Sequence, residues 1–364
     1  MVEEKRKMKR STLILLIAFI VLGGIGAFVY WKIDRSHPTN DNPFMQFAIE
    51  DTASIGKITI QDRNGEVATL TRLEGTTSWT INKKYPARPD AIQLLLECIH
   101  DIRVRGNVPA KAKENMLTVM ATSAKEVKIY NLKNELIKTY FVGPNWHDHQ
   151  GTIMVLETPA DGRSEEPYIT HIEGFTGFLN PRFFIAENEW RSNAIFNFPK
   201  LDIQQVEFIN HVNPNQSFRF KVSSSNRIQA EVFANGTYQA FSALDTLLAF
   251  DFIKRMCRVN IESYNTYLKP TAADSIKSSA PAFTFIVTDA VGLVHPLHLF
   301  LKKANGMKVD GQGNSTPYDP DYFWAKDERN ELGLAQYFFF EPLLMPADFY
   351  NPTKTFTPES RVTK

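Results

Sequence analysis

The chain has 364 residues, 43% of them apolar, enough to bury a full core in one large or two medium domains. That excludes disorder over most of its length, and the collagen-like and disulfide-rich classes with it. Charge is nearly balanced, 41 Lys plus Arg against 40 Asp plus Glu, so no overall basic field suits nucleic acid.

Residues 1–12 form a basic tail, with Lys5, Arg6, Lys7, Lys9 and Arg10 against Glu3 and Glu4. Leu13 to Trp31 then runs for 19 residues without a charge. As a helix it would span about 28 Å, close to the hydrocarbon core of a bilayer. It ends in Phe28, Val29, Tyr30 and Trp31, which suit an interfacial aromatic belt better than a signal-peptide cleavage site. The positive-inside rule predicts a single-pass transmembrane helix over 13–31, with the N-terminus cytoplasmic and the bulk outside. Gly23 and Ala27 make a small-xxx-small pair through which two such helices could form a weak homodimer. Residues 32–50 read as a polar tether, because Ser36 to Pro43 is turn-forming and offers little to bury.

Beyond the tether the pattern suggests an internal repeat, with one copy over 51–195 and a second over 196–350. Lys57 to Gln61 alternates as a half-buried strand, Asn64-Gly65 marks a hairpin, and Val67 to Leu73 and Trp79 to Ile81 return as strands. Ile92, Leu95, Leu96, Ile99 and Ile102 make one apolar stripe at helical period, and a hairpin over Val127 to Val142 closes the copy. In the second copy Val206 to Ile209 matches the first strand, and Phe218 to Val222 returns. Ser242 to Asp245 reads as a capping box before a helix beginning with Leu244, Leu247 and Leu248, and Phe283 to Leu301 closes as a hairpin. Ile58 to Val206 is 148 residues, Leu95 to Leu247 is 152 and Val127 to Phe283 is 156, a drift that loop insertions accommodate. The expected fold is α+β: two similar halves, each a mainly antiparallel sheet with one principal helix. Residues 351–364 read as a polar tail.

Few motifs carry chemistry. Trp146-His147-Asp148-His149 offers metal-ligating side chains. On a strand His147 and His149 would share a face and Asp148 would not, and the preceding Gly143-Pro144-Asn145 favours a solvated loop. His295 and His298 read as structural, with Pro296 marking an edge or bulge. There is no Gly-x-Ser-x-Gly elbow, no Cys-x-x-Cys pair and no phosphate-binding Gly loop outside the apolar run. Cys98 and Cys257 sit in apolar, helix-like segments and are expected as two separately buried thiols, a single disulfide being the alternative. Arg103 and Arg105 follow the first helix, and Lys254, Arg255 and Arg258 hold the matching place in the second copy. These twin basic groups suit an acidic partner or lipid headgroups, although basic residues at helix ends ordinarily offset the helix dipole. Phe175 and Phe178 head a dense aromatic stretch and are the best candidates for a protruding apolar patch.

Trp79, Tyr85 to Ile92, Leu95-Leu96, Val142-Gly143, Gly151 to Met154 and Trp190-Arg191 together resemble a bacterial domain-of-unknown-function family, number 4340, over about residues 50 to 345. The resemblance implies a periplasmic protein tethered to the inner membrane of a Gram-negative bacterium, in some cases beside gliding-type ABC transporters. It brings no catalytic residues. The expected function is a non-catalytic, membrane-anchored scaffold or accessory subunit of an envelope complex, with no cofactor and with an envelope protein as partner. Two other readings stay open: a ligand-binding module for glycan, lipid or peptide held between the halves, and a metal-dependent hydrolase using His147, Asp148 and His149.

Overall fold

The computed structural model describes residues 23–24, 42–198, 201–223, 227–264, 266–309, 313 and 315–354. In chain order its strands are β1 (Ile55–Gln61), β2 (Val67–Arg72), β3 (Trp79–Ile81), β4 (Tyr85–Pro86), β5 (Ile102–Asn107), β6 (Lys125–Asn131), β7 (Leu136–Asn145), β8 (Thr152–Thr158), β9 (Gly162–Arg163) and β10 (Tyr168–Ile172). There follow β11 (Ala194–Asn197), β12 (Ile203–Asn210), β13 (Phe218–Val222), β14 (Ile228–Ala234), β15 (Thr237–Ala240), β16 (Arg258–Asn260), β17 (Phe283–Asp289), β18 (Val294–Val309), β19 (Ser315–Lys326) and β20 (Leu332–Gln336). The helices are α1 (Pro89–Asp101), α2 (Ala110–Ser123), α3 (Glu187–Trp190), α4 (Thr246–Met256), α5 (Pro270–Lys277) and α6 (Tyr337–Phe340). The fold is α+β, with mainly antiparallel sheets and few helices.

Contacts divide the chain into two compact units, and the division is not linear. The first holds Met1–Val67 and Leu94–Phe183; the second holds Ala68–Gln93 and Phe184–Lys364. In the first unit β1 pairs β6, β6 pairs β7, β7 pairs β8, β8 pairs β10 and β10 pairs β5, all antiparallel, leaving β5 at the end of the sheet. The turns use the residues that tolerate a left-handed backbone: Gly65 (φ 86°) follows β1, and Asn134 (φ 63°) closes β6 to β7. Helix α2 lays Met120, with Ala124 just past its end, on Phe141, Ile153, Val155 and Ile169. This helix has no counterpart in the expectation of one principal helix, because Ala110–Ser123 has only a weak apolar stripe and buries Met120 alone. Gly143 lies where β7 passes beneath it: a Cβ there would come within 2.9 Å of both the Ile153 carbonyl and Met120.

The folded part also begins earlier than the tether reading of 32–50 placed it. Asn42 caps a 3-10 turn over Pro43–Met45, Phe47 is fully buried against Tyr140 and Tyr168, and Ile49 is buried after it. The hydroxyl of Tyr140 donates to the Phe47 carbonyl. The Lys138 ammonium donates to the carbonyls of Gln46 and, at 2.7 Å, Ala48. The turn-forming composition concealed two apolar anchors.

In the second unit the sheet runs β15-β14-β13-β12-β17-β18-β19-β20, and β11 pairs β16 apart from it. Its core is aromatic: Phe208, Phe218, Phe220, Phe252, Phe283, Phe285 and Tyr350 are almost completely buried and their rings meet at 4.7–6.1 Å. Helix α4 covers this face with Ala249, Phe252, Ile253 and Met256. Its cap is Asp245, whose carboxylate accepts from the N–H groups of Leu247 and Leu248; the expected Ser242 cap lies three residues too early. Leu247 accordingly faces solvent, not the core. The β14–β15 turn uses Asn235-Gly236 with φ 52° and 82°.

Of the apolar run 13–31, only Gly23 and Gly24 fall among the described residues, and both are helical. No helix among the described residues is long and apolar enough to cross a membrane. Ala27, the remainder of the run and residues 355–364 of the tail lie outside them.

Candidate functional site

Three segments singled out from the sequence meet in the first unit. The first is the end strand β5. Pairing with β10 shifts between Ile169/Gly106 and Thr170/Val104, so Arg105 is the extra residue of a bulge. A bulge re-aims a side chain. The Arg105 guanidinium reaches Asp148 Oδ2 at 2.5 Å and the Gln150 carbonyl at 3.1 Å. Arg103, also exposed, turns back: its Nη1 donates to the carbonyls of His100 at 2.8 Å and Ile102 at 3.0 Å, capping the end of α1.

The second segment is the turn Trp146–Gln150 after β7, a loop as expected. Asp148 holds it by accepting from the Gln150 N–H at 2.9 Å. Desolvation works against the Asp148 carboxylate, but Arg105 and the Gln150 N–H outweigh it and hold it below the ordinary range. His147 lies tilted against Trp146 with ring centroids 4.3 Å apart. His149 takes a left-handed backbone (φ 59°) and brings its ring to 5.6 Å from Phe178. Asp148 is thus engaged by an arginine, and no group of three His, Cys, Asp or Glu suited to a metal occurs among the described residues.

The third segment follows β10. Phe175 is 41% exposed, with the Arg182 guanidinium 4.2 Å over its ring. Arg182 Nη1 donates to the Phe178 carbonyl at 3.0 Å, and the Leu179 N–H donates to Thr152 Oγ1 at 2.8 Å. The result is one surface with aromatic rings and guanidinium groups interleaved: Arg105 on Asp148, His149 on Phe178, Arg182 on Phe175. Such a surface can stack, donate hydrogen bonds and exclude water, which is what anchors of protein interfaces do.

Lys254, Arg255 and Arg258 belong to the second unit, at the end of α4 and the start of β16, and all are exposed. Arg255 pairs with Asp251 at 2.6 Å, a helix-surface ion pair.

Two polar clusters of the second unit gather residues that stand far apart in the chain. Arg191 is buried, its guanidinium 3.7 Å from the Tyr85 ring centroid and 3.2 Å from that of Tyr264. Its Nε and Nη2 have no hydrogen-bond partner, and the nearest carboxylates, Asp327 and Glu331, stand at 3.9 and 3.7 Å. Tyr264 donates to Asp327 at 2.9 Å and Tyr85 to Glu331 at 2.8 Å. In the other cluster His295 lies between Asp289 and Glu328, while His298 and His211 share the Thr284 hydroxyl. The structural reading of His295 and His298 fits these partners. Both thiols are buried and free, Cys98 in the first unit and Cys257 in the second. Burial pushes the Cys98 thiol up to about 12.

Compared with known proteins, the chain matches no family model, no curated protein and no solved structure.

Proposed function

We propose that this chain is a non-catalytic, membrane-anchored accessory subunit of a bacterial envelope complex, and that the first unit docks the partner. The observation that carries this reading is the surface joining Arg105, Phe175, Phe178, His149 and Arg182. Its members come from three distant segments and hold one another in place, while Phe175 stays open to solvent. The apolar run Leu13–Trp31 supplies the anchor, and the chain enters the first unit at Asn42, bonded to Tyr168 on β10 at 3.3 Å. That leaves about ten residues of link, a reach of at most ~35 Å. The order of elements supports an internal duplication. β6, β7, β8 and β10 pair in succession as β17, β18, β19 and β20 do, β1 pairs β6 as β12 pairs β17, and two helices and a short strand precede β6 and β17 alike. The family resemblance, with its periplasmic setting, belongs to this proposal.

The test is a photo-crosslinking residue placed at Phe175 in the full chain in cells, with the membrane fraction analysed. A discrete protein adduct, lost on Arg182→Glu and on deletion of Leu13–Trp31, is expected. Mature protein that is freely soluble and lacks its first thirty-odd residues removes the anchor; a membrane-bound chain with no adduct at Phe175 removes the docking role.

A further inference from the structure

The turn joining β17 to β18 is built by one carboxylate. Asp289 Oδ1 accepts from the N–H groups of Val291 at 2.9 Å and Leu293 at 2.8 Å, and Gly292 takes φ 88° between them. The turn presents Val291, 80% exposed, with Leu293 and Val294 also exposed. The turn from β19 to β20 is built the same way: Asp327 Oδ1 accepts from the N–H groups of Arg329 at 3.0 Å and Glu331 at 2.9 Å. His295 stands between the two turns. Its Nδ1 meets Glu328 Oε2 at 2.6 Å, its Nε2 meets Asp289 Oδ2 at 3.3 Å, and the Phe198 ring covers it at 5.5 Å.

We infer that His295 is a proton-operated clamp joining the Asp289–Leu293 turn to the Asp327–Glu331 turn. Carboxylates only accept, so each imidazole nitrogen must donate, and only the imidazolium carries both N–H groups. The neutral ring would turn a lone pair on one carboxylate and leave Asp289 and Glu328 facing each other as like charges. Among the described residues those two are the charged groups that face the ring, Asp289 from β17 and Glu328 from the β19–β20 turn. Partial burial pulls the imidazole down, but its bonds and charge interactions with Glu328 and Asp289 prevail, and its pKa is raised above 6.5. The sign follows: a raised histidine holds its contribution in full below the ordinary value and loses it as pH climbs through the raised one. The same turn carries Asp327 and Glu331 of the Arg191 cluster, so release of the clamp frees one side of the support of that cluster.

The test is hydrogen exchange of the full chain across about pH 5.5 to 8.5, corrected for intrinsic exchange, together with an NMR titration of His295. Amides of Val291, Leu293, Arg329 and Glu331 are expected to lose protection about fivefold or more as His295 titrates, with Phe285 in the sheet as the unchanging reference. His295→Gln should abolish the step and Glu328→Gln should shrink it. A wild-type chain without the step, a step that persists in His295→Gln, or a His295 that titrates below 6.5 overturns the inference.

Discussion

Replacing Arg191 separates two ways of holding a buried cation. Its guanidinium makes no hydrogen bond through Nε or Nη2 and lies 3.7 and 3.2 Å from the centroids of two tyrosine rings, so stacking and packing hold it beside the looser attraction of Asp327 and Glu331. A desolvated cation–π contact contributes about 2 kcal/mol, and truncating a packed side chain costs about 2–5 kcal/mol. These do not add fully. Asp327 is not orphaned by the change, because it keeps Tyr264, Arg329 and two backbone N–H groups. Arg191→Ala should therefore cost about 4 kcal/mol, in the middle of the roughly 3–5 kcal/mol that breaking a buried pair costs. Arg191→Met, which restores volume without the stack, should cost about 2 kcal/mol. Arg191→Lys should cost about 2–3 kcal/mol, since a compact ammonium cannot fill a planar slot. The assay is hydrogen exchange of the Arg88 and Ser192 amides, which donate to the Trp190 and Pro86 carbonyls beside the cluster. The alanine variant should lower their protection by between two and three orders of magnitude, at about 1.4 kcal/mol per tenfold. A lysine variant indistinguishable from wild type would refute the stacking account, and equal losses for methionine and alanine would refute the packing part.

Three further outcomes follow from single contacts. Gly333→Ala should destabilise the second unit by about 2–3 kcal/mol, because its Cβ would lie 2.3 Å from Ile261 Cδ1 and 2.9 Å from the Ser263 carbonyl; urea midpoints check it. A thiol reagent at neutral pH should modify neither Cys98 nor Cys257 in the native chain and both after unfolding without reductant, since both are buried and free. Burial pulls the Lys138 ammonium down to about 8 from 10.5, so the folded chain holds fewer protons than the unfolded one between those values. Stability of the first unit should rise across that window, and Lys138→Met should flatten the rise; denaturation at about pH 7 and about pH 10 reads it.

The sequence made visible what local rules control. Alternating strands and Asn-Gly turns were legible, because a backbone φ above zero selects residue types directly. The stripe Ile92, Leu95 and Ile99 was legible because burial of one helix face repeats at a fixed period. Helix α2 was not, since its outward positions have no compensating polarity pattern and it buries one methionine. The meeting of Arg105, Asp148, Phe175 and Phe178 lay beyond local reading: each was picked out alone, but only the β5 bulge and the pairing of β8 with β10 bring them to one place. Arg191 appeared in the sequence only within a resemblance, and its buried role was not legible, as its partners Tyr85 and Glu331 stand 246 residues apart from each other in the chain.

That separation has a consequence for how the chain is made. Ala68–Gln93 leaves the ribosome early, yet it belongs to one compact unit with Phe184–Lys364. At roughly 5–20 residues per second, Tyr85 waits about 12–50 s for Glu331 to be synthesised. For that interval β3 and β4 have β2 and each other to pair with, but Tyr85 lacks Arg191 and Glu331 and stands open to misassociation. A binder that shields nascent Trp79–Pro86 would raise the yield of correctly assembled protein, and expressing residues 1–195 alone would leave Tyr85 permanently without Glu331.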